Sequence, residues 1–380
     1  MSDDGSTANA RHPGLVEPRT KEDWRCYLGY QSPARPALPS WSDYQAMDTG
    51  ARRRFNHDRG RHHSALVLAW TPPVLHFEEL ILERLQANED APAGARPGLL
   101  IDGPPTVGKS TLVKMIARRF ELGLREDFPE RFAADRLGDY VPVVYLSVPD
   151  SVTPKQISLA LARYLHIPVS SGKPTKDDID ELVLTAIRRC GVQLLIFDDL
   201  HFLDCTQREG RASNDHIKYL ANHAACTIVG TGVDLETSPL LSEGRGADRN
   251  TQTAGRFSHH RLQPFTVATK QQAEQWIGVV ATLEDALVLH RHAHGSLARR
   301  HWRYLHERTG GSIAALHDLI RLAAIRAVRQ GAEAVTRELL DTITSSYATE
   351  RQYAKVVGGR HQQRTSSTRS APPAKQAKPA

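Results

Sequence analysis

The octapeptide Gly103-Pro104-Pro105-Thr106-Val107-Gly108-Lys109-Ser110 follows the apolar run Leu99-Leu100-Ile101. It is followed in turn by Thr111 and by Leu112, Val113, Ile116, Ala117 and Phe120 at helical spacing. A strand, a tight glycine loop and a helix in that order form the setting of a phosphate-binding loop. Gly103 and Gly108 let the backbone curl until successive N–H groups face one centre, and the helix opening at Lys109 adds its positive end. The Lys109 ammonium is then placed to reach the β and γ phosphates of a nucleoside triphosphate, and the Ser110 hydroxyl to ligate Mg²⁺. Residues 103–111 are the expected cradle for ATP with Mg²⁺. A Gly/Pro turn with an incidental lysine is the bland alternative, and the flanking strand and helix weigh against it.

A second run, Leu194-Leu195-Ile196-Phe197, ends in Asp198-Asp199. Continuous apolar character marks a strand buried on both faces, presenting carboxylates at its carboxyl end. Asp198 is the expected Walker B group that holds the Mg²⁺ shell. Asp199 has two physically sound uses: orienting an attacking water, or capping the following turn.

With 380 residues and 40% apolar composition, the chain can bury one large core and a smaller one. It has no 18-residue apolar run and starts with the polar Met1-Ser2-Asp3-Asp4, so neither a membrane span nor export is expected, and a cytoplasmic location follows. Cys26, Cys190, Cys205 and Cys226 are scattered without metal-ligand spacing. The net charge of +6 is misleading until it is located. Arg351, Lys355, Arg360, Arg364, Arg369, Lys375 and Lys378 follow Glu350 with no acid among them, which leaves the body slightly acidic. Such a tail either grips a phosphate backbone loosely or serves only solubility.

The pattern divides the chain into a largely irregular segment over 1–40, with a short helix near Glu22 to Tyr27, and a helical lead-in over 41–95. A nucleotide-binding α/β domain over 96–268, a helical lid over 269–357 and a disordered basic tail over 358–380 follow. Strand-like runs at Leu99, Val143-Val148, Leu194, Thr227-Thr231 and His260-Leu262 are separated by helical patterns at 156–165, 177–189 and 215–223. Thr309-Gly310-Gly311-Ser312 reads as one helix end and the cap of the next.

Five strand-like runs with a helical appendage resemble the AAA+ class of ATPases. The resemblance implies an α/β fold, a three-layer parallel-sheet P-loop NTPase core with a C-terminal helical lid. It implies that Thr231, at the tip of the fourth strand, senses the γ phosphate, although Gly230-Thr231-Gly232 is also a plain turn. Among Arg245, Arg249 and Arg256, the Arg256-Phe257 pair matches the place of an arginine finger acting on a neighbouring subunit's nucleotide. A surface arginine without catalytic duty remains the alternative.

At closer range the chain resembles the TniB-type transposition ATPases, relatives of the TnsC and Mu B target-selection proteins. The similarity covers Tyr44 to Tyr353. It rests on residues 103–111, Leu194 to His201, Ser213-Asn214-Asp215-His216-Ile217-Lys218-Tyr219-Leu220-Ala221, and Ala254-Gly255-Arg256-Phe257. It implies an ATP-bound homo-oligomer, ring or filament, on double-stranded DNA that recruits a DDE-type transposase, with no membrane involved. Asp199 departs from the Glu often found there, and Ala314 and Ala315 stand where a second sensor Arg is expected, so slow hydrolysis is implied. Regulatory switches and ATP-bound scaffolds are the competing readings.

Some lesser features are read conservatively. Trp70 to Val74 is placed near the adenine, and Lys173 and Lys176 are candidate DNA contacts. His290, His292, His294 and His301 are read as a solvated connection, His62-His63 as surface, and Asp204 as a loop carboxylate.

Overall fold

Three of the five strands are buried at every residue because both their faces are covered. The computed structural model describes residues 16–65, 69–92, 94, 96–133, 138–149, 151–169, 172, 174–200, 208–235, 257–351 and 353–355. The chain runs through α1 (Lys21–Gly29), α2 (Trp41–Ala46), α3 (Thr49–Ser64), α4 (Pro72–Glu89), β1 (Gly98–Asp102), α5 (Lys109–Asp127), β2 (Val143–Ser147), α6 (Pro154–Tyr164) and α7 (Lys176–Arg189). There follow β3 (Leu194–Asp198), α8 (Arg208–His223), β4 (Thr227–Gly232), β5 (Phe257–Arg261), α9 (Lys270–Asp285), α10 (Trp302–Thr309), α11 (Ile313–Gln330) and α12 (Arg337–Asp341). Strand order is β2-β3-β4-β1-β5, all parallel. The three inner strands are buried at every residue, whereas the edge strands β2 and β5 are covered only in part. Edge position explains why the fifth strand is Phe257–Arg261 rather than the expected 260–262: Phe-Ser-His-His-Arg carries no apolar run to mark it.

The chain leaves β1 for the far edge at β2, returns through β3 and β4, and then passes β1 to reach β5. Right-handed crossovers send the outward and returning connections to opposite faces. α5 therefore covers one face, and α6, α7 and α8 the other, giving three layers. Side-chain contacts agree: Glu121 of α5 accepts from the Trp24 indole of α1 at 2.8 Å, and Arg119 of α5 pairs with Glu78 of α4 at 3.2 Å. On the other face α6 packs against both α7 and α8. Thr153 and Thr175 start α6 and α7 with capping boxes closed by Gln156 and Asp178.

The contacts divide the chain into two compact units, residues 1–31 with 70–263 and residues 32–69 with 264–380. The stretch read as a helical lead-in is thus shared out, with α4 in the first unit and α2 and α3 in the second. In the second unit α3 packs on α11 around a core that includes Trp276, Leu305, Leu316 and Leu319. Gly310 ends α10 in the left-handed region at φ 60°, and the Ser312 side chain caps α11.

Polar pairs inside this unit correct two sequence readings. Arg59 and Glu333 form a bidentate ion pair at 2.7 and 2.9 Å with both side chains wholly buried. Burial alone raises the Glu333 carboxyl, but Arg59 and His290 together hold it below its ordinary value. His290 lies against Glu333 at 3.1 Å and His292 against Glu284 at 2.9 Å, both imidazoles buried, so neither belongs to a solvated connection. Among the described residues no group of three or more His, Cys, Asp or Glu side chains is placed to hold a metal, and no helix is long and apolar enough to cross a membrane.

His63, read as a surface residue, is 6% exposed, and its Nε2 accepts the Val288 N–H at 3.0 Å. A proton on that nitrogen breaks this bond, and burial, reinforced by His62 and Arg59, pushes the imidazole down to about 4. Above pH ~6.5 the ring is neutral in both folded and unfolded states. As pH falls from there toward 4, the unfolded chain takes up a proton that the fold refuses, and stability drops by up to about 3 kcal/mol. Urea unfolding at pH 7.5 and pH 5 tests this: wild type should lose more stability on acidification than His63→Gln. Equal losses contradict it.

Candidate functional site

The loop between β1 and α5 is built by close approach and left-handed turns. A Cβ on Gly103 would lie 2.3 Å from the Leu262 carbonyl oxygen, so only glycine fits beside the chain leaving β5. Asp102, buried at the end of β1, holds the same corner: its Oδ1 accepts from Gly103 N at 2.7 Å and Leu235 N at 3.3 Å. Thr106 and Gly108 take φ 64° and 103°. A threonine held left-handed costs about 1 kcal/mol or more, a strain typical of functional loops. Gly108 occupies the N-cap of α5 and no side chain caps the helix, which leaves the positive end to backbone N–H groups. Pro104, Pro105 and Val107 complete the turn; of these Val107 is buried, while Pro105 and Thr106 are exposed.

The Lys109 side chain folds back over the loop, donating to the carbonyls of Gly103 at 2.8 Å and Pro104 at 2.9 Å. Burial pulls its ammonium below the ordinary value, opposed by the carboxylates of Asp199, Asp102, Asp198 and Asp234. Ser110 and Thr111 follow in the first turn of α5, both partly exposed.

Because β4 is inserted between β1 and β3, its tip stands between the loop and the Asp198 carboxylate. Thr231 pairs with Ile101 on one side, and Gly230 pairs with Phe197 on the other. The Thr231 hydroxyl donates to Asp198 Oδ1 and accepts from Asp199 N at 3.3 Å. Asp198 Oδ2 accepts from the Tyr145 hydroxyl at 2.5 Å, so both its oxygens are engaged. Burial, with Asp198 beside it, pushes the Tyr145 phenol far above its usual range, and it stays a neutral donor. Asp199 is left-handed at φ 65°, a conformation that Asp tolerates better than most residues, and this gives a backbone reason for Asp where Glu is expected.

The structure therefore gathers the loop, Lys109, Ser110, Asp198, Asp199 and Thr231 at the carboxyl ends of adjacent parallel strands, where α/β sheets place their ligands. Hard oxygen donors from Ser110 and Asp198 suit Mg²⁺, and a glycine cradle with a buried lysine suits a polyphosphate. Arg256, with Arg245, Arg249, Lys173 and Asp204, lies outside the described residues. Trp70 stacks on Arg119 at 4.6 Å. Arg119 lies ten residues, about 15 Å of helix, beyond Lys109. Lys176, half-exposed, pairs with Asp180 at 2.6 Å and Asp177 at 3.1 Å.

Two site residues escape sequence reasoning. Tyr145 is hidden in an apolar strand 53 positions before Asp198, and only strand register brings them together. Asp102 carries a signal that was available, a carboxylate immediately before the first loop glycine. Within the motif from Ser213 to Ala221, the buried His216 is structural. His216 Nε2 meets Ser158 Oγ at 2.8 Å, and Ser158 also bonds Asp180. All three side chains are buried, so this Ser-His-Asp grouping joins α6, α7 and α8 rather than facing a substrate.

Thr231→Val removes the bridging hydroxyl and leaves the buried Asp198 Oδ1 and the Asp199 N–H without it. The expected cost is about 1–3 kcal/mol in urea unfolding, largely restored by Thr231→Ser. A neutral valine variant contradicts the bridge.

The family model for the bacterial TniB protein matches residues 76–267. No curated protein matches the chain. Among solved structures it is similar to the Aeropyrum pernix ORC2 protein in its ADPNP–ADP complexes, at 12% identity and TM-score 0.51 over 74% of this chain and 69% of that one. It is also similar to the Aeropyrum pernix ORC1 protein in complex with DNA, at 18% identity and TM-score 0.48, covering 75% of this chain and 66% of that one. Cdc6p from Pyrobaculum aerophilum matches at 16% identity and TM-score 0.48 over 73% and 68%. The ORC2 likeness agrees with the five-stranded parallel sheet and following helices in showing the AAA+ P-loop fold. Since the matched segment takes in all five strands, the loop and Asp198, and spans just over half of the sequence, the chain belongs to the TniB family.

Proposed function

We propose that this protein is an ATPase of DNA transposition, binding ATP with Mg²⁺, assembling head to tail on double-stranded DNA and regulating or recruiting a DDE-type transposase. The observation that carries the nucleotide reading is the hydroxyl of Thr231, bonded at once to Asp198 and to the backbone of Asp199. In this reading residues 103–111 cradle the phosphates and Lys109 exchanges its two carbonyl partners for phosphate oxygens. Bound Mg²⁺ supplies charge neutralisation through Ser110 and Asp198. Asp199 orients the attacking water, and Thr231 links it to the metal side. Arg256 is assigned to the neighbouring subunit's nucleotide, which makes turnover depend on assembly. DNA and transposase enter through membership of the TniB family and the resemblance that sequence motifs carry.

Steady-state ATP turnover across protein concentration, with and without duplex DNA and with Lys109→Ala as the blank, tests the reading. Turnover per subunit should rise with concentration and with DNA, and Arg256→Ala should abolish the rise while leaving nucleotide binding intact. Turnover that is flat in both variables contradicts assembly-dependent hydrolysis and favours an ATP-bound scaffold.

A further inference from the structure

Charge is divided between the two units in a way that the linear sequence hides. The first unit's residues contain 26 Lys and Arg against 31 Asp and Glu, and the second unit's contain 23 against 12. Without the tail after Glu350, the second unit still has 16 against 12. The densest contribution is α3, Thr-Gly-Ala-Arg-Arg-Arg-Phe-Asn-His-Asp-Arg-Gly-Arg-His-His-Ser, with five arginines and one acid.

Those arginines meet two fates. Arg59 is wholly buried against Glu333, and Arg52 bonds the carbonyls of Gln45 and Met47 at 2.7 and 3.3 Å. Together with His63 they hold the inner side of α3. Arg53, Arg54, His57 and Arg61 are exposed, and among the described residues no carboxylate lies within ion-pairing distance of the three arginines. Their spacing of i, i+1, i+4 and i+8 puts them on one side of the helix over about 12 Å. Arg53, Arg54 and His57 also border a shallow open recess of 330 Å³ with Asp58. Like charges at such spacing repel one another; Asp48 acts on Arg54 electrostatically and Asp58 borders the recess, but three arginines still outnumber these two carboxylates, so the face favours a polyanion. Duplex DNA carries about one phosphate per 1.7 Å of axis, so a 12 Å row of cations faces several at once.

We infer that the outward face of α3, with Arg53, Arg54 and Arg61 and His57 between them, grips the phosphodiester backbone of duplex DNA without reading its sequence. The inference rests on the DNA reading above and adds to it a surface. The guanidinium forks suit phosphate oxygens. Contacts of this kind position a protein on DNA and leave base identity unread.

The test is fluorescence anisotropy of a labelled duplex with the full chain, ATP and Mg²⁺ across a salt series. Replacing Arg53, Arg54 and Arg61 together by Ala should weaken binding at least tenfold near 0.1 M salt. It should also flatten the slope of log affinity against log salt by about 2.7, at about 0.9 for each phosphate no longer neutralised. The triple replacement by Lys, which keeps the charges, should retain most of the slope, and Arg163→Ala on the exposed side of α6 should change nothing. Unchanged thermal unfolding of the alanine variant shows that the weaker binding is not misfolding. A wild-type slope in the alanine variant overturns the inference while leaving the DNA reading standing. Absence of duplex binding by the wild type overturns both. Wild-type preference for phosphatidylserine vesicles that the alanine variant loses assigns the face to a membrane and overturns it also.

Discussion

One hydroxyl group joins what would otherwise be separate halves of the site. β1 delivers the loop and Lys109, β3 delivers Asp198 and Asp199, and the two strands are not neighbours. Thr231, at the end of the strand inserted between them, gives its proton to Asp198 and takes the N–H of Asp199. Tyr145 closes the other oxygen of Asp198 from the far side. Buried polar groups are costly unless paired, and a fully paired set is correspondingly rigid. The carboxylate is thus held ready by neutral donors, and the backbone of Asp199 is anchored in a left-handed turn by the same threonine.

Lys109 shows the complementary arrangement on the loop side. Its ammonium is held by two loop carbonyls, within the influence of four carboxylates. A cation already desolvated and aimed needs little reorganisation to meet an anion. The loop geometry makes this possible: Gly103 admits the neighbouring backbone at a distance no side chain tolerates, and Gly108 lets α5 begin with bare N–H groups.

How much of this was legible in the sequence depends on whether the physics is local. The phosphate loop was legible because its chemistry demands particular residues at consecutive positions. Strands β1 and β3 were legible because full burial on both faces favours continuous apolar runs, Leu99-Leu100-Ile101 and Leu194 to Phe197. The edge strand β5 was displaced because half-burial lets Ser258, His259 and His260 stand in it. Arg59 and Glu333 are 274 positions apart, and nothing in either neighbourhood announces the other. The histidines misread as solvated were judged by their polar neighbours, whereas their burial is set by Glu333, Glu284 and Val288 from remote segments. The basic unit escaped for the same reason: residues 32–69 and 264–380 come together only in the fold, and a running charge count along the chain averages them away.

The most direct test of the central claim, that the β1 loop and the Asp198–Thr231 pair form one Mg²⁺-dependent nucleotide site, is equilibrium binding. A fluorescent ATP analogue should be titrated into wild type, Lys109→Ala and Asp198→Asn, each with Mg²⁺ and with EDTA. Mg²⁺ should tighten binding to wild type, Asp198→Asn should lose most of this metal-dependent gain, and Lys109→Ala should bind at least tenfold more weakly in both conditions. Equal affinity of all three proteins, or a wild-type affinity indifferent to Mg²⁺, contradicts it.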